Sequence, residues 1–206
     1  MKKRLLAVVF ISFLAIMATA QNEEFDRGEF FAGYSAGSNL EVNIPFQENG
    51  FNVAGVYNVH KFVGIKADVS GTYQSLNGNF YFPNSFPNVT QSSQTWKGIH
   101  NLYSVTAGVQ LKDNRKDSTF KPFGHFLVGY GKHFDTVKTP CPTGAQCPPL
   151  DQDLEGVSLI LGGGLDIKLN KRIDIRAFQF DLNPITSKNN GNWYNSRFSA
   201  GIIFKF

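Results

Sequence analysis

The side chains able to do chemistry in this chain are few, and their spacing is loose. Cys141 and Cys147 lie six positions apart in the Pro-, Thr- and Gly-containing stretch 140–148. Two thiols in one exported loop favour a disulfide, modest and local in effect because the loop it closes is small. The same two thiols are half a zinc set, so no metal site and no cofactor site is read from them. The four histidines are His60, His100, His125 and His133. Nucleophilic catalysis needs a nucleophile, a base and an orienting group in mutual reach, and no His-x-Ser pairing occurs. The glycine run 162–164 is followed by no helical pattern and no Lys-Ser/Thr pair, so it is not a phosphate loop; close packing is its simpler use. There remain Lys66, Asp68, Asp166, Arg176, Asp181 and Arg197, charges whose meaning depends on the elements that carry them.

Those elements read as strands. Eight segments alternate with period two, about 29–37, 50–59, 62–73, 98–111, 121–132, 155–168, 172–182 and 195–206. In the third, Val63, Ile65, Ala67, Val69 and Tyr73 oppose Lys66, Asp68, Ser70 and Thr72. In the last, Phe198, Ala200, Ile202, Phe204 and Phe206 oppose Arg197, Ser199, Gly201, Ile203 and Lys205. The seventh changes parity: Ile173, Ile175 and Ala177 set one face, and Phe180 and Leu182 continue on the other. One extra residue near Phe178 restores the pattern, which predicts a β-bulge there. The six charges fall on the polar faces, with His100 and His125 beside them.

The first twenty residues read as an export leader. Lys2, Lys3 and Arg4 precede an apolar run, and Ala18-Thr19-Ala20 supplies a small-x-small cleavage pattern. The alternative is an uncleaved N-terminal anchor. The chain carries 20 basic and 16 acidic residues, a net of +4. The leader holds three of the basic residues, so its removal leaves 17 against 16, a net of +1. That balance gives no support to nucleic-acid binding, which needs a concentrated basic face. No later stretch approaches 18 consecutive apolar residues, so helical spans are excluded.

Connection lengths alternate. The segments 59–61, 112–120 and 169–171 are short or moderate; 37–49, 74–97, 133–154 and 183–194 are long. Short turns at one end and long loops at the other match an up-and-down barrel of eight antiparallel strands crossing an outer membrane. In lipid every backbone polar group must be paired internally, so the first and eighth strands must meet. Tyr34, Tyr57, Tyr73, Tyr103, Tyr130 and Phe206 fall near strand ends on the apolar faces, where interfacial girdles belong. An eight-stranded barrel is just wide enough for side chains to fill, so the six charges are expected to pair in the lumen as a plug. Asp166 and Arg176 lie near each other across the sixth-to-seventh hairpin.

The stretches Gly162-Gly163-Gly164-Leu165-Asp166-Ile167-Lys168, Asp174-Ile175-Arg176 and Arg197-Phe198-Ser199-Ala200-Gly201-Ile202-Ile203-Phe204-Lys205-Phe206 carry a family likeness. With the leader and the strand count, they make the chain similar to the small outer-membrane β-barrel family related to the membrane domain of outer membrane protein A. Opacity-type and outer-membrane-protein-X-type barrels belong to that family. The resemblance covers essentially the whole mature chain. It implies that the C-terminal strand is read by the barrel-assembly machinery, through Phe198, Ile202, Phe204 and Phe206. It also implies a chain that lacks the separate peptidoglycan-binding domain of larger relatives.

The reading that follows is a monomeric, non-enzymatic outer-membrane barrel, partnered by outer-membrane lipids, with an envelope-structural or surface-interaction role. Four rivals stay open. An adhesin or ligand-binding barrel would act on an external ligand through long loops, in or beside which Phe80, Tyr81, Phe82, Phe86, Trp96, Trp193 and Tyr194 lie. A small gated pore would open the plug. A lipid-modifying enzyme would need chemistry not evident in the residues. A secreted lipocalin-like barrel would turn its apolar faces inward.

Overall fold

The computed structural model describes residues 25–39, 48–81, 93–138, 152–187 and 191–206. The predicted leader, Cys141, Cys147, Phe82 and Phe86 lie outside the described residues. Eight strands follow in chain order: β1 (Gly28–Asn39), β2 (Glu48–His60), β3 (Val63–Tyr81), β4 (Ser93–Lys112), β5 (Phe120–Lys138), β6 (Gln152–Lys168), β7 (Ile173–Ser187) and β8 (Gly191–Lys205). Each pairs antiparallel with its neighbours in sequence, and β1 pairs with β8 to close the barrel. The seam runs from Glu29↔Lys205 to Asn39↔Asn195. It continues one residue further, where Gly28 and Phe206 exchange both backbone hydrogen bonds, at 2.8 and 2.9 Å. A Cβ on Gly28 would meet the Phe206 ring at 2.1 Å, so the missing side chain is what admits the ring there.

The wall is apolar outside and polar inside. Ile65, Val69, Val105, Val109, Phe126, Val128, Leu159, Leu161, Phe180, Phe198, Ile202 and Phe204 are exposed on the outer face. Lys66, Asp68, Ser158, Asp166, Asp181 and Ser199 have 0% exposure on the inner one. This reverses the lipocalin-like alternative. An outer surface of this kind is stable only against an apolar solvent, and the closed hydrogen-bond circuit meets the demand lipid makes on backbone. The belt is edged on the loop side by an aromatic arc: Phe51 lies 6.5 Å from Tyr73, Tyr73 5.7 Å from Tyr103, and Tyr103 6.1 Å from Phe134, centroid to centroid. Tyr130 Oη donates to Glu155 Oε2 at 2.6 Å, a polar partner for an amphipathic ring at the water boundary.

The predicted bulge is present. Leu165 pairs with Phe178 and Asp166 with Arg176, so Ala177 has no β6 counterpart. On the other side the register shifts between Arg176↔Gly201 and Gln179↔Ser199. The shift keeps Arg176, Gln179 and Asp181 in the lumen and leaves Phe178, Phe180 and Leu182 exposed outside.

The strands run past their expected ends, mainly on the loop side. β3 continues to Tyr81 and pairs through to Tyr81↔Ser93. β5 continues to Lys138, β7 to Ser187, and β8 begins at Gly191. Phe80 and Tyr81 thus lie in β3, Trp96 in β4, and Trp193 and Tyr194 in β8. Above the girdle the outer face meets water, so the apolar half of the alternation disappears while the backbone ladder continues. Eight residues of β3 beyond Tyr73 amount to about 26 Å of strand at ~3.3 Å per residue.

Candidate functional site

The lumen is filled by a ladder of side chains. Asp166 accepts from Arg176 twice, Nε to Oδ1 at 2.8 Å and Nη2 to Oδ2 at 3.1 Å. Lys112 Nζ reaches the same carboxylate at 3.0 Å and Glu29 Oε2 at 2.5 Å. The Arg176 guanidinium lies between two rings, 4.4 Å from the Phe31 centroid and 4.2 Å from that of Phe123, which supports its charge from both faces. Gln179 bridges this layer to the next: it accepts from Arg176 Nη1 at 2.6 Å and donates to Asp181 Oδ2 at 2.6 Å.

In the next layer Arg197 donates to Asp181 Oδ2 at 2.5 Å and to Asp68 Oδ1 at 3.2 Å. Asn52 donates to Asp68 Oδ1 at 2.8 Å, and Lys66 Nζ stands 3.5 Å from Asp68 Oδ2. His125 Nε2 lies 2.9 Å from Asp181 Oδ1. Its Nδ1 lies 3.4 Å from Lys66 Nζ. All six charges singled out in the sequence therefore meet, in two linked groups: Asp166 with Arg176, and Lys66, Asp68, Asp181 and Arg197 together. Glu29, Lys112 and His125 join them. Toward the turn end, Asp174 bridges Lys205 at 2.7 Å and Lys121 at 3.6 Å. Burying one such charge alone is costly, and a connected set of opposite charges offsets that cost.

Small side chains continue the column toward the loop end. Ser35 pairs with Ser199 and Ser70 with Ser104, both at 2.8 Å, and Thr72 donates to Glu48 Oε2 at 2.5 Å. Ser70, Thr72, Leu102, Asn183, Asn195 and Arg197 line a cavity of about 10 Å³, room for about one water. Above it Leu102, Leu154 and Ile185, with Trp193 against them, place an apolar stopper across the lumen. The glycine run is part of the packing. A Cβ on Gly162 would meet Asp181 Oδ1 at 2.0 Å, and one on Gly164 would meet the Phe123 ring at 2.9 Å.

A second group stands beside the stopper. His100 of β4 pairs in register with Asp135 of β5, and Leu102 with His133. His100 Nδ1 contacts Asp135 Oδ1 directly. It lies 3.0 Å from His133 Nε2, which is 3.5 Å from Asp135 Oδ1. The indole of Trp193 stacks on His133, with centroids 4.3 Å apart at 26°. Two imidazoles and a carboxylate in this arrangement can share a proton or hold a cation. The alternation predicts His100 in the polar lumen and assigns His133 and Asp135 to the long connection 133–154, whereas β5 runs on past both. The signal that unites them is position along neighbouring strands, legible only once β5 is known to extend past Lys132.

Among the four candidate assembly-signal residues, Phe198, Ile202 and Phe204 lie on the exposed outer face of β8, and Phe206 sits over Gly28 at the seam.

No protein-family model matches the chain, and no curated protein matches it. Solved structures do. The attachment invasion locus protein Ail of Yersinia pestis superposes with a TM-score of 0.53 at 18% identity, covering 89% of this chain and 100% of that one. Its complex with the heparin analogue sucrose octasulfate gives 0.54 over the same coverage. Neisserial surface protein A gives 0.52 at 15% identity, covering 87% of this chain and 96% of that one. The likeness establishes the fold: a small eight-stranded barrel of the outer-membrane type.

Proposed function

We propose that this chain is a non-enzymatic outer-membrane barrel whose working surface is its loop-end rim. The observation that carries the reading is the distribution of strand length. β3, β4 and β5 hold 19, 20 and 19 residues, whereas about 9–11 tilted residues cross the apolar band. The surplus of β3 and β4 lies on the loop side of the aromatic arc, and β5 runs four residues past Phe134. A rigid paired wall standing clear of the bilayer is costly to build for membrane anchoring alone, and it suits presentation of a surface to an external partner. Ail, similar in fold, has been seen with a heparin analogue, which supports an external ligand for a barrel of this architecture.

The lumen supports a plugged wall rather than a pore. Among the described residues its charges are paired, the cavity beside Arg197 has room for about one water, and an apolar stopper lies above it. Lipids are the partners of the apolar belt. The barrel-assembly machinery is the expected reader of the last strand, and the monomer is self-sufficient because closure leaves no unpaired edge.

The experiment compares cells displaying the full chain with cells displaying a variant whose rim is shortened by replacing 76–96 and 136–153 with tight turns. Immobilised heparin and cultured-cell monolayers serve as probes, and a heat-modifiability gel reports barrel integrity. Adherence lost with the folded barrel retained is the expected result. Equal adherence to both probes by the two forms would overturn the surface reading. Steady channels of porin size in planar bilayers would overturn the plugged lumen.

A further inference from the structure

We propose that His100 Nδ1, His133 Nε2 and Asp135 Oδ1 form a binding site for a divalent transition cation of the zinc class at the loop end of the barrel. The three donor atoms come from separate side chains and all lie within 4.8 Å of one another. Two nitrogens each ~2.0–2.1 Å from one ion stand roughly 2.9–3.4 Å apart, between right-angled and tetrahedral coordination. The observed 3.0 Å between His100 and His133 falls inside that window. The carboxylate oxygen touches His100 Nδ1 and lies 3.5 Å from His133 Nε2, so a small withdrawal of Asp135 from His100 would admit an ion between the three donors.

The donor chemistry selects the class of ion. Two imidazoles with one carboxylate suit zinc, copper and nickel; calcium and magnesium prefer all-oxygen sets. The scaffold is rigid in the way such a site needs. His133 and Asp135 are two apart on β5, so they face the same way, and His100 is directly opposite Asp135 on β4. The Trp193 indole holds the His133 ring from β8, across the lumen mouth. His133 itself is buried, with 3% exposure, while His100 and Asp135 are half-buried and reachable from outside. Three protein donors leave room in the coordination sphere for water or an exogenous donor. The same contacts without metal would be a hydrogen-bonded ion pair extended to a second imidazole, and ion affinity separates the two.

The test uses the mature full chain, untagged and folded in detergent, stripped with a chelator. The chain has two tryptophans, Trp96 and Trp193, so a Trp96→Phe background leaves the stacked indole as the sole reporter. Zn²⁺ alone is titrated by calorimetry, and Cu²⁺ alone by quenching of Trp193 fluorescence. One Zn²⁺ per chain is expected, with micromolar or tighter affinity and saturable quenching. His133→Ala and His100→Ala should abolish binding. Asp135→Asn, nearly the same shape, should weaken it by about tenfold or more. His60→Ala, at the opposite end, should leave it unchanged. A heat-modifiability gel confirms that each variant is folded; were a histidine variant to unfold, Asp135→Asn would decide. No saturable Zn²⁺ binding by the parent, or equal affinity in folded His100→Ala, His133→Ala and Asp135→Asn, would overturn the proposal.

Discussion

Asp166 and Arg176 face each other across the β6–β7 hairpin and close a two-point ion pair, one position before the register of β7 slips at Ala177. The pair and the slip work together. Arg176 reaches the lumen on the first parity of β7, and the bulge then returns Gln179 and Asp181 to the lumen on the second.

Asp166→Asn should be strongly destabilising. It leaves Arg176 between Phe31 and Phe123 without its anion and removes one of the two carboxylates on Lys112. Breaking a buried pair by removing one partner costs roughly 3–5 kcal/mol. Replacing both partners with apolar residues of similar volume, Asp166→Leu with Arg176→Met, should recover much of the loss. Urea unfolding in detergent, followed by tryptophan fluorescence, distinguishes the two; a double variant no better than the single would contradict the pairing argument.

Deleting Ala177 should be tolerated. It is the residue without a β6 counterpart, and without it Arg176, Phe178, Gln179, Phe180 and Asp181 alternate in regular register, Phe178 falling opposite Ala200 and the polar side chains staying in the lumen. The expected outcome is a retained folded, heat-modifiable band. Loss of that band would show that Ala177 does more than absorb the extra residue.

Much of the wall was legible in the sequence because one solvent boundary wrote it. Where lipid lies outside and the packed lumen inside, Val63 to Tyr73 must alternate, and the pattern counts strands and locates the bulge. Past the girdle that pressure ends. Lys132, His133, Phe134 and Asp135 carry no apolar alternation, although the ladder runs on to Lys138. The loop-end site was hidden for that reason. In the lumen, parity places Lys66, Asp68 and Arg197 inside, but strand stagger chooses their partners, and stagger is a property of the closed barrel rather than of any one strand.

Phe206 offers a test of signal against packing. Its backbone and ring both engage Gly28 at the seam. If the residue is also read during assembly, Phe206→Ala should lower the amount of barrel inserted in cells by far more than it lowers refolding yield in detergent. Gly28→Val, which displaces the ring without changing the C-terminus, should impair both. A parallel drop in both assays for Phe206→Ala would reduce its role to packing.

The turn end carries a local pH marker. Arg115 donates to Asp113 from Nε at 2.9 Å and from Nη2 at 2.8 Å, in the connection between β4 and β5. These bonds hold the Asp113 carboxyl down at about 2. Since the folded value lies below the unfolded one, whatever the pair contributes is present at neutral pH and is lost only as pH falls through that range. Carbon-detected titration should show Asp113 moving up to the ordinary carboxylate range in Arg115→Ala; an unchanged midpoint would remove Arg115 as the cause.

The seam between β1 and β8 also sets an order of events. Once Glu29 to Asn39 is laced to Asn195 to Lys205, the described strands form a closed circuit and leave no open edge past which a lysine or a carboxylate could swing. Every ion in the column must therefore already be on its correct side when the last hydrogen bonds form. Closure is then the step that commits the molecule: before it, a mispaired charge can still be corrected through the open edge, and after it, correction requires taking the wall apart.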